Sequence, residues 1–383
     1  MTPARRKTAR ARTIRVELGE RSYPIHIGVD TLERAGRAIS RCAPSSRAVV
    51  VTVPGVGRRY GAKLQRSLTE AGYRVCRITV PDGDASKSLR QLQGIWDQMI
   101  DFGADRNTPV IALGGGMVGD LAGFAAASYL RGVPFVQVPT TILAMADASI
   151  GGKVAINAPQ GKNLIGAFYQ PRLVWMDIAT LRSLPSRQRA AGLAEVVKHG
   201  AIWDEAYFES LERNTKGLLD LDPRVLIPAL SRSCEIKAHV VSEDETERGL
   251  RKLLNFGHTL AHAVETLAKY RGLVHGEAVS IGMRFAAERS EALELAPAGT
   301  AERVTSLCEA LGLPTELPSH PRKAYLEALR VDKKMTDSRI DFVVLRGIGD
   351  AQTVSLSPRE ILRPTGRTTR KEPQAKGTKR VIR

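Results

Sequence analysis

Three histidines and one glutamate carry the most specific chemistry in this sequence. His258 and His262 stand four residues apart in RKLLNFGHTLAHAVE, His275 opens the segment HGEAVSIGM, and Glu195 sits in GLAEVVKHG. Imidazoles with one carboxylate form the donor set of catalytic zinc sites, where one coordination position stays open for substrate. Each histidine alone would serve as a hydrogen-bonded core residue; together, in a chain with 7 histidines, they favour a metal. Spacing leaves open which two histidines bind. Arg251, Asn255, His258 and His262 are spaced by 4, 3 and 4 residues, so one continuous helix would align them on a single stripe. Gly257 interrupts that pattern and allows a helix starting near His258, with Arg251 and Asn255 in a loop.

A second set is cationic. Lys153, Lys162 and Asn163 follow Asp147 in the glycine-rich polar stretch 147–163, expected to be loop, and lysines among glycines at a cleft edge suit a phosphorylated substrate. Glu195 and Lys198 share one face of a helix expected over 190–202. Ala194, Val196 and Val197 around them imply partial burial, and a carboxylate there wants a cation. Lys237 falls in another helical run, CEIKAHVV.

A third set fits a phosphate. The apolar run Val110 to Leu113 reads as a buried strand, three glycines follow (Gly114, Gly115, Gly116), and a small-residue helix extends from about Val118 to Tyr129. Such a turn lets backbone N–H groups approach a phosphate, aided by the helix dipole. Gly114, Gly116 and Gly119 spell G-x-G-x-x-G, a weak signal by itself, and the usual carboxylate about 20 residues downstream is missing. Asp84, in PDGDASK with Lys87, is the substitute for holding a ribose; an N-capping aspartate and a solvated lysine would look the same. Thr140 and Thr141 suit either a nucleotide or a cap.

The elements needed to position these residues can be read from periodicity. TIRVEL and SYPIHIG form a hairpin around Gly19–Glu20; RAVVVTV, VCRITV, Phe135–Val138 and Leu173–Ile178 read as strands, with helices over 56–71 and 89–102. The β-α-β alternation predicts a parallel sheet of Rossmann-like, nucleotide-binding type. Beyond a hinge at Leu184-Pro185-Ser186 strands nearly vanish, so an α/β half over 14–185 and an all-α half over 186–362 are expected. Residues 1–13 and 363–383 read as disordered basic tails.

Composition removes other classes. A chain of 383 residues with 43% hydrophobic content has enough for two domains, and no run is long enough to span a bilayer. The net charge of +17 looks like nucleic-acid binding until it is located: the first 13 residues hold five basic residues and no acid, and 363–383 hold eight basic residues and one acid. Four distant cysteines without a C-x-x-C pair read as reduced thiols of a cytosolic protein.

Long ordered motifs also carry a resemblance. GGGMVGDLAGFAAASYLRG, QVPTT, GGKVAIN, GKNLIGAFYQP, GLAEVVKHG, LLNFGHT, HGEAVSIGM, VDKKMTD and IDFVVLRGIG together resemble the 3-dehydroquinate synthase family, over roughly residues 14–362. The resemblance implies a homodimeric cytoplasmic phosphorus–oxygen lyase of the shikimate pathway. It would use NAD+ and one Zn2+ (Co2+ in its place) on 3-deoxy-D-arabino-heptulosonate 7-phosphate, by transient oxidation, phosphate elimination, re-reduction and aldol closure. It implies metal ligation by Glu195, His258 and His275. NAD contacts would come from Asp82, Gly83, Asp84, Ala85, Ser86 and Lys87, from Gly115, Gly116, Met117, Val118, Gly119 and Asp120, from Thr140 and Thr141, from Lys153 and Lys162, and from Thr180, Leu181, Arg182 and Ser183. Asp147, Lys153, Lys162, Asn163, Lys198, Lys237, Arg251, Asn255, His262 and a lysine of Lys333–Lys334 would meet substrate, and Arg131 would reach the partner subunit's site. Departures are small: Asp84 stands where the family more often has Glu, and His-Thr-Leu-Ala-His replaces His-Thr-Phe-Gly-His. A sister sugar phosphate cyclase and a metal-dependent polyol dehydrogenase are the competing readings.

Overall fold

The computed structural model describes residues 10–268, 272–330, 335–336 and 339–364. Nine strands occupy the first half: β1 Arg12–Val16, β2 Tyr23–Gly28, β3 Arg47–Thr52, β4 Arg74–Thr79, β5 Val110–Gly114, β6 Phe135–Pro139, β7 Lys153–Ala158, β8 Gly161–Phe168 and β9 Leu173–Asp177. Seven of them make one sheet in the order β1-β2-β9-β6-β5-β3-β4, parallel except for the edge pair β1–β2. Apolar, β-branched runs such as RAVVVT suit a sheet covered on both faces. In β3, Val49 and Val51 enter one apolar cluster while Ala48 and Val50 enter the opposite one, as a period of two requires. β1 already begins at Arg12, so the structured chain starts inside the stretch expected to be tail.

Two expectations are corrected here. The glycine-rich stretch after Asp147 is an antiparallel hairpin, β7 with β8, and not a loop. The second half is largely helical but not all-α: β10 Met335–Thr336, β11 Arg339–Gly347 and β12 Asp350–Leu356 form a small antiparallel sheet. The apolar run Phe342–Leu345 in RIDFVVLRG, buried throughout, is the signal for it.

Four helices of the second half carry Glu195, Lys198, Lys237 and the three histidines: Ser186–Trp203, Pro223–Glu243, His258–Leu267 and His275–Ala292. Glycines let them approach backbone to backbone. A Cβ on Gly276 would lie 1.8 Å from the Ala191 carbonyl oxygen, and one on Gly282 would lie 1.9 Å from that of Gly257. A Cβ on Gly192 would meet the Leu143 nitrogen at 2.6 Å. The largest apolar cluster is continuous across both halves, from Val16, Ile25 and Met176 to Leu193, Val240, Leu260 and Val279. Among the described residues, no helix is long and apolar enough to cross a membrane.

Candidate active site

The Ser186–Trp203 helix carries Glu195 and Lys198 into the interior, and both are fully buried. The His258–Leu267 helix begins immediately after Gly257, whose φ of 78° ends the preceding turn. Arg251 and Asn255 therefore sit on a separate short 3-10 turn, Leu250–Asn255, and the single four-residue stripe does not form. His275 is the first residue of its helix. These three elements place Nε2 of His258 at 3.6 Å and Nε2 of His275 at 3.7 Å from Oε1 of Glu195. One ligand atom from each of the three residues lies within 4.8 Å of the others, and His262 packs its ring 5.9 Å from that of His258.

The donor set fits a divalent ion. Neither oxygen of the buried Glu195 receives a well-directed hydrogen bond; Oε2 contacts the Lys198 ammonium, but off the donor direction. Burial opposes the charge of Glu195, yet Lys198 outweighs it and the carboxyl titrates far below its ordinary range. His258 is held well below a normal histidine by burial and by Lys198, so it stays neutral as a ligand must. Burial disfavours the charged form of His275 too, but Glu195 and Glu265 raise it to about 10, and an ion would displace that proton.

Cations pack against the same group of side chains. Asp147, on the turn Ala144–Ala148, receives Lys237 Nζ at 2.6 Å and faces Lys198 Nζ at 4.0 Å. Burial raises and these two lysines lower its pKa, and the lysines win by a wide margin. Lys237 is brought down to about 8 by burial, against the pull of Asp147 and with help from Arg251. The buried Arg251 donates to the Gly151 carbonyl at 3.0 Å and also contacts the Glu245 carbonyl. Glu247 joins Lys153 to Asn255, whose Nδ2 donates to it at 2.6 Å.

A second group of candidate residues sits at the carboxyl ends of the parallel strands, where ligands of open α/β sheets bind. Gly115 caps the Gly116–Ser128 helix with no side chain over its N–H groups. A Cβ on Gly115 would lie 3.1 Å from Thr141 Cγ2, and one on Gly116 3.1 Å from Ala148 Cβ, so the turn is a cradle open only to backbone. Lys87 Nζ lies 2.5 Å from Asp120 and contacts Asn163, while Lys162 reaches Asp84 at 3.2 Å. Asn157 also holds Asp84, at 3.1 Å. Ser183 Oγ and the Thr180 carbonyl both accept from Tyr60, at 2.7 and 2.9 Å, beside a cavity of about 470 Å³ that Arg182 also lines.

Residues 77–191 match the N-terminal family of 3-dehydroquinate synthases, and 192–335 match the C-terminal family. The 3-dehydroquinate synthase of Citrifermentans bemidjiense is 51% identical over 339 residues, covering 88% of this chain and 94% of that protein. The chain belongs to the 3-dehydroquinate synthase family. Solved structures agree on architecture. A 2-deoxy-scyllo-inosose synthase complexed with carbaglucose-6-phosphate, NAD+ and Co2+ superposes with a TM-score of 0.84 at 27% identity, over 91% of this chain and 98% of that one. A 2-epi-5-epi-valiolone synthase from Streptomyces hygroscopicus, with NAD+ and Zn2+ bound, gives 0.82 at 30% identity, over 90% and 96%.

Of the residues that the 3-dehydroquinate synthase resemblance implies, the structure gathers Glu195, His258, His275, His262, Lys198, Lys237 and Asp147 in one cluster, with Arg251, Lys153 and Asn255 nearby. Met117 and Gly119 lie on the first turn of the glycine helix, and Asp82, Gly83, Ala85 and Ser86 on the segment after β4. Val118 and Leu181 have buried side chains, so only their backbone could face a ligand; Gly119 is pressed against Gln137, leaving no room for a Cβ. Arg131 is not gathered: it is exposed beyond the far end of the Gly116–Ser128 helix, about 20 Å from its glycine end at 1.5 Å per residue. Lys333–Lys334 lie outside the described residues. Sequence reasoning missed Glu247, Asn157 and Glu265. The first two carry no pattern of their own, whereas Glu265 continues the spacing of His258 and His262.

Proposed function

We infer that this chain converts 3-deoxy-D-arabino-heptulosonate 7-phosphate into 3-dehydroquinate and phosphate. The observation that carries this reading is the Glu195–His258–His275 set, with its carboxylate fully buried, beside Lys198, Lys237 and Asp147, in a chain about half identical to 3-dehydroquinate synthases. When bound, NAD+ supplies a reversible hydride acceptor and a Zn2+ or Co2+ ion at Glu195, His258 and His275 supplies a Lewis acid. The chain's residues do the rest. Gly115, Gly116 and the helix behind them offer N–H groups to the cofactor's phosphates, and Lys87, Asp84 and Lys162 flank it. Lys198 and Lys237 present ammonium groups that Asp147 keeps in place, and Arg251, anchored on the Gly151 carbonyl, adds a further positive charge for the anionic substrate. Lys153, Asn255 and His262 hold the departing phosphate, and Asn163 orders the cofactor-side lysine Lys87. A mainly neutral polyol would have no use for so many cations.

Residues 14–185 hold the cofactor, and 186–362 hold metal and substrate. The chain acts as a homodimer in the cytoplasm. Support for two copies comes from Leu130 and Arg131, which take left-handed φ values of 49° and 67°, a strain that is seldom kept without a role. β8 also presents Leu164, Ile165 and Phe168 to the outside. All four cysteines are free thiols, as a reducing compartment requires.

The test is phosphate release from 3-deoxy-D-arabino-heptulosonate 7-phosphate with NAD+ far below stoichiometric and Zn2+ present. Many turnovers per NAD+ without accumulating NADH are expected. Consumption of sedoheptulose 7-phosphate instead would make the chain a sister cyclase, and net NADH would make it a dehydrogenase.

A further inference from the structure

The two histidines of the metal set are supported from behind by different means. His258 Nδ1 lies 3.2 Å from the carbonyl oxygen of Phe256, two residues earlier in its own chain segment. His275 Nδ1 lies 3.4 Å from Oε1 of Glu265, a residue of another helix. In both rings Nδ1 is engaged by an oxygen and Nε2 is turned to Glu195. An acceptor at Nδ1 keeps the proton there and leaves the Nε2 lone pair for an ion.

His275 needs that support more than His258 does. It is the first residue of its helix and a third of its side chain is exposed (33%, against 11% for His258), so packing alone does not set its ring. Glu265 is well placed to set it. Its side chain is only 11% exposed, and it follows His258 and His262 on one face of their helix at spacings of 4 and 3. The one helix thus supplies a ligand, a ring packed beside it, and the carboxylate that orients the other ligand.

We propose that Glu265 is a positioning residue for the metal: it fixes the Nδ1–H tautomer of His275, aims Nε2 at the ion shared with Glu195 and His258, and strengthens that nitrogen as a donor. This rests on the proposed role of Glu195, His258 and His275 as metal ligands. A carboxylate behind a ligating histidine gives way to an amide at a typical cost of about 10–100-fold in metal affinity.

The experiment compares the full chain with its Glu265→Gln and Glu265→Asp variants, each stripped of metal. Zn2+ affinity is measured by competition with a chromophoric chelator, the visible spectrum is recorded after Co2+ loading, and NAD+ binding serves as the check on folding. Glu265→Gln is expected to bind Zn2+ about 10–100-fold more weakly, with altered Co2+ bands and unchanged NAD+ affinity. Glu265→Asp, which keeps the charge one methylene further away, is expected to lose less. Zn2+ affinities within about 3-fold of the parent in both variants, with unchanged Co2+ bands, would overturn the proposal. Failure of the parent chain itself to take up Zn2+ or Co2+ would overturn the metal reading instead.

Discussion

Lys198 is a buried ammonium that touches Glu195 and faces Asp147, so it ties the metal set to the cationic cluster. Replacing it with methionine removes a charge at the proposed reacting centre while keeping the length of the side chain. Lys198→Met is expected to lower turnover at least about 10²-fold. NAD+ binding, followed by fluorescence titration, should stay near normal because Lys198 pairs with Glu195 and Asp147 and not with the glycine turn. Near-normal turnover would remove Lys198 from the chemistry. Lys237 gives a different prediction, because burial has brought it to about 8 from the ordinary lysine value. Its charge is present below that pH and lost above it, so the KM for the anionic substrate should rise as pH passes 8; a flat KM to pH 9 would sink the role. At this scale the sequence was legible where residue types are rare and repeated. Histidines within a few helical turns stand out, whereas Glu247 and Glu265 are two acids among 40, and only folding puts them beside Lys153, Asn255 and His275.

The site exists because three backbone segments come closer than side chains would normally allow. Gly276 lies against Ala191, one turn before Glu195, and Gly192 lies against the segment leading to Asp147. Gly276→Ala would push its Cβ into the Ala191 carbonyl and separate the helices bearing His275 and Glu195. It is expected to cost about 1–3 kcal/mol in urea unfolding and to weaken Zn2+ retention. Gly94→Ala is the matched control: it lies within the Leu89–Asp101 helix with nothing within 4 Å of its Cβ, so stability should hold or rise by up to about 1 kcal/mol. Equal effects at both positions would show that close approach is not what Gly276 provides. Periodicity revealed the parallel strands and the long helices because each has a face to bury. It did not reveal the β7–β8 hairpin, where glycines blur the alternation; the break at Gly257 was marked by the glycine itself and not by the 4-3-4 spacing, which fits one helix or two segments.

On the scale of the whole molecule, the far placement of Arg131 makes a prediction about pairs of chains. If it serves a second subunit, Arg131→Ala and Lys198→Met are each nearly inactive alone but regain activity when unfolded together and refolded as a mixture. One site in each mixed dimer then has its own Lys198 and an intact Arg131 from across the interface. Absence of recovery, with mixed dimers demonstrated, would place Arg131 outside the site. The change from an α/β half to a largely helical half was legible from the change in periodicity near Pro185. How tightly the halves are joined was not, because a shared interior has no signature in linear spacing.

That shared interior governs how the molecule comes apart. Tyr23 and Val174 of the sheet and Phe208 and Leu260 of the helical half belong to one apolar cluster, so neither half can lose its packing without exposing the other. Linkers between independent modules melt in stages; this chain should instead give a single calorimetric endotherm, seen at the same temperature by a probe in either half. Zn2+ added to the apoprotein should then move that one peak upward as a whole, so that an ion held by helices protects the strands that cradle the cofactor from heat.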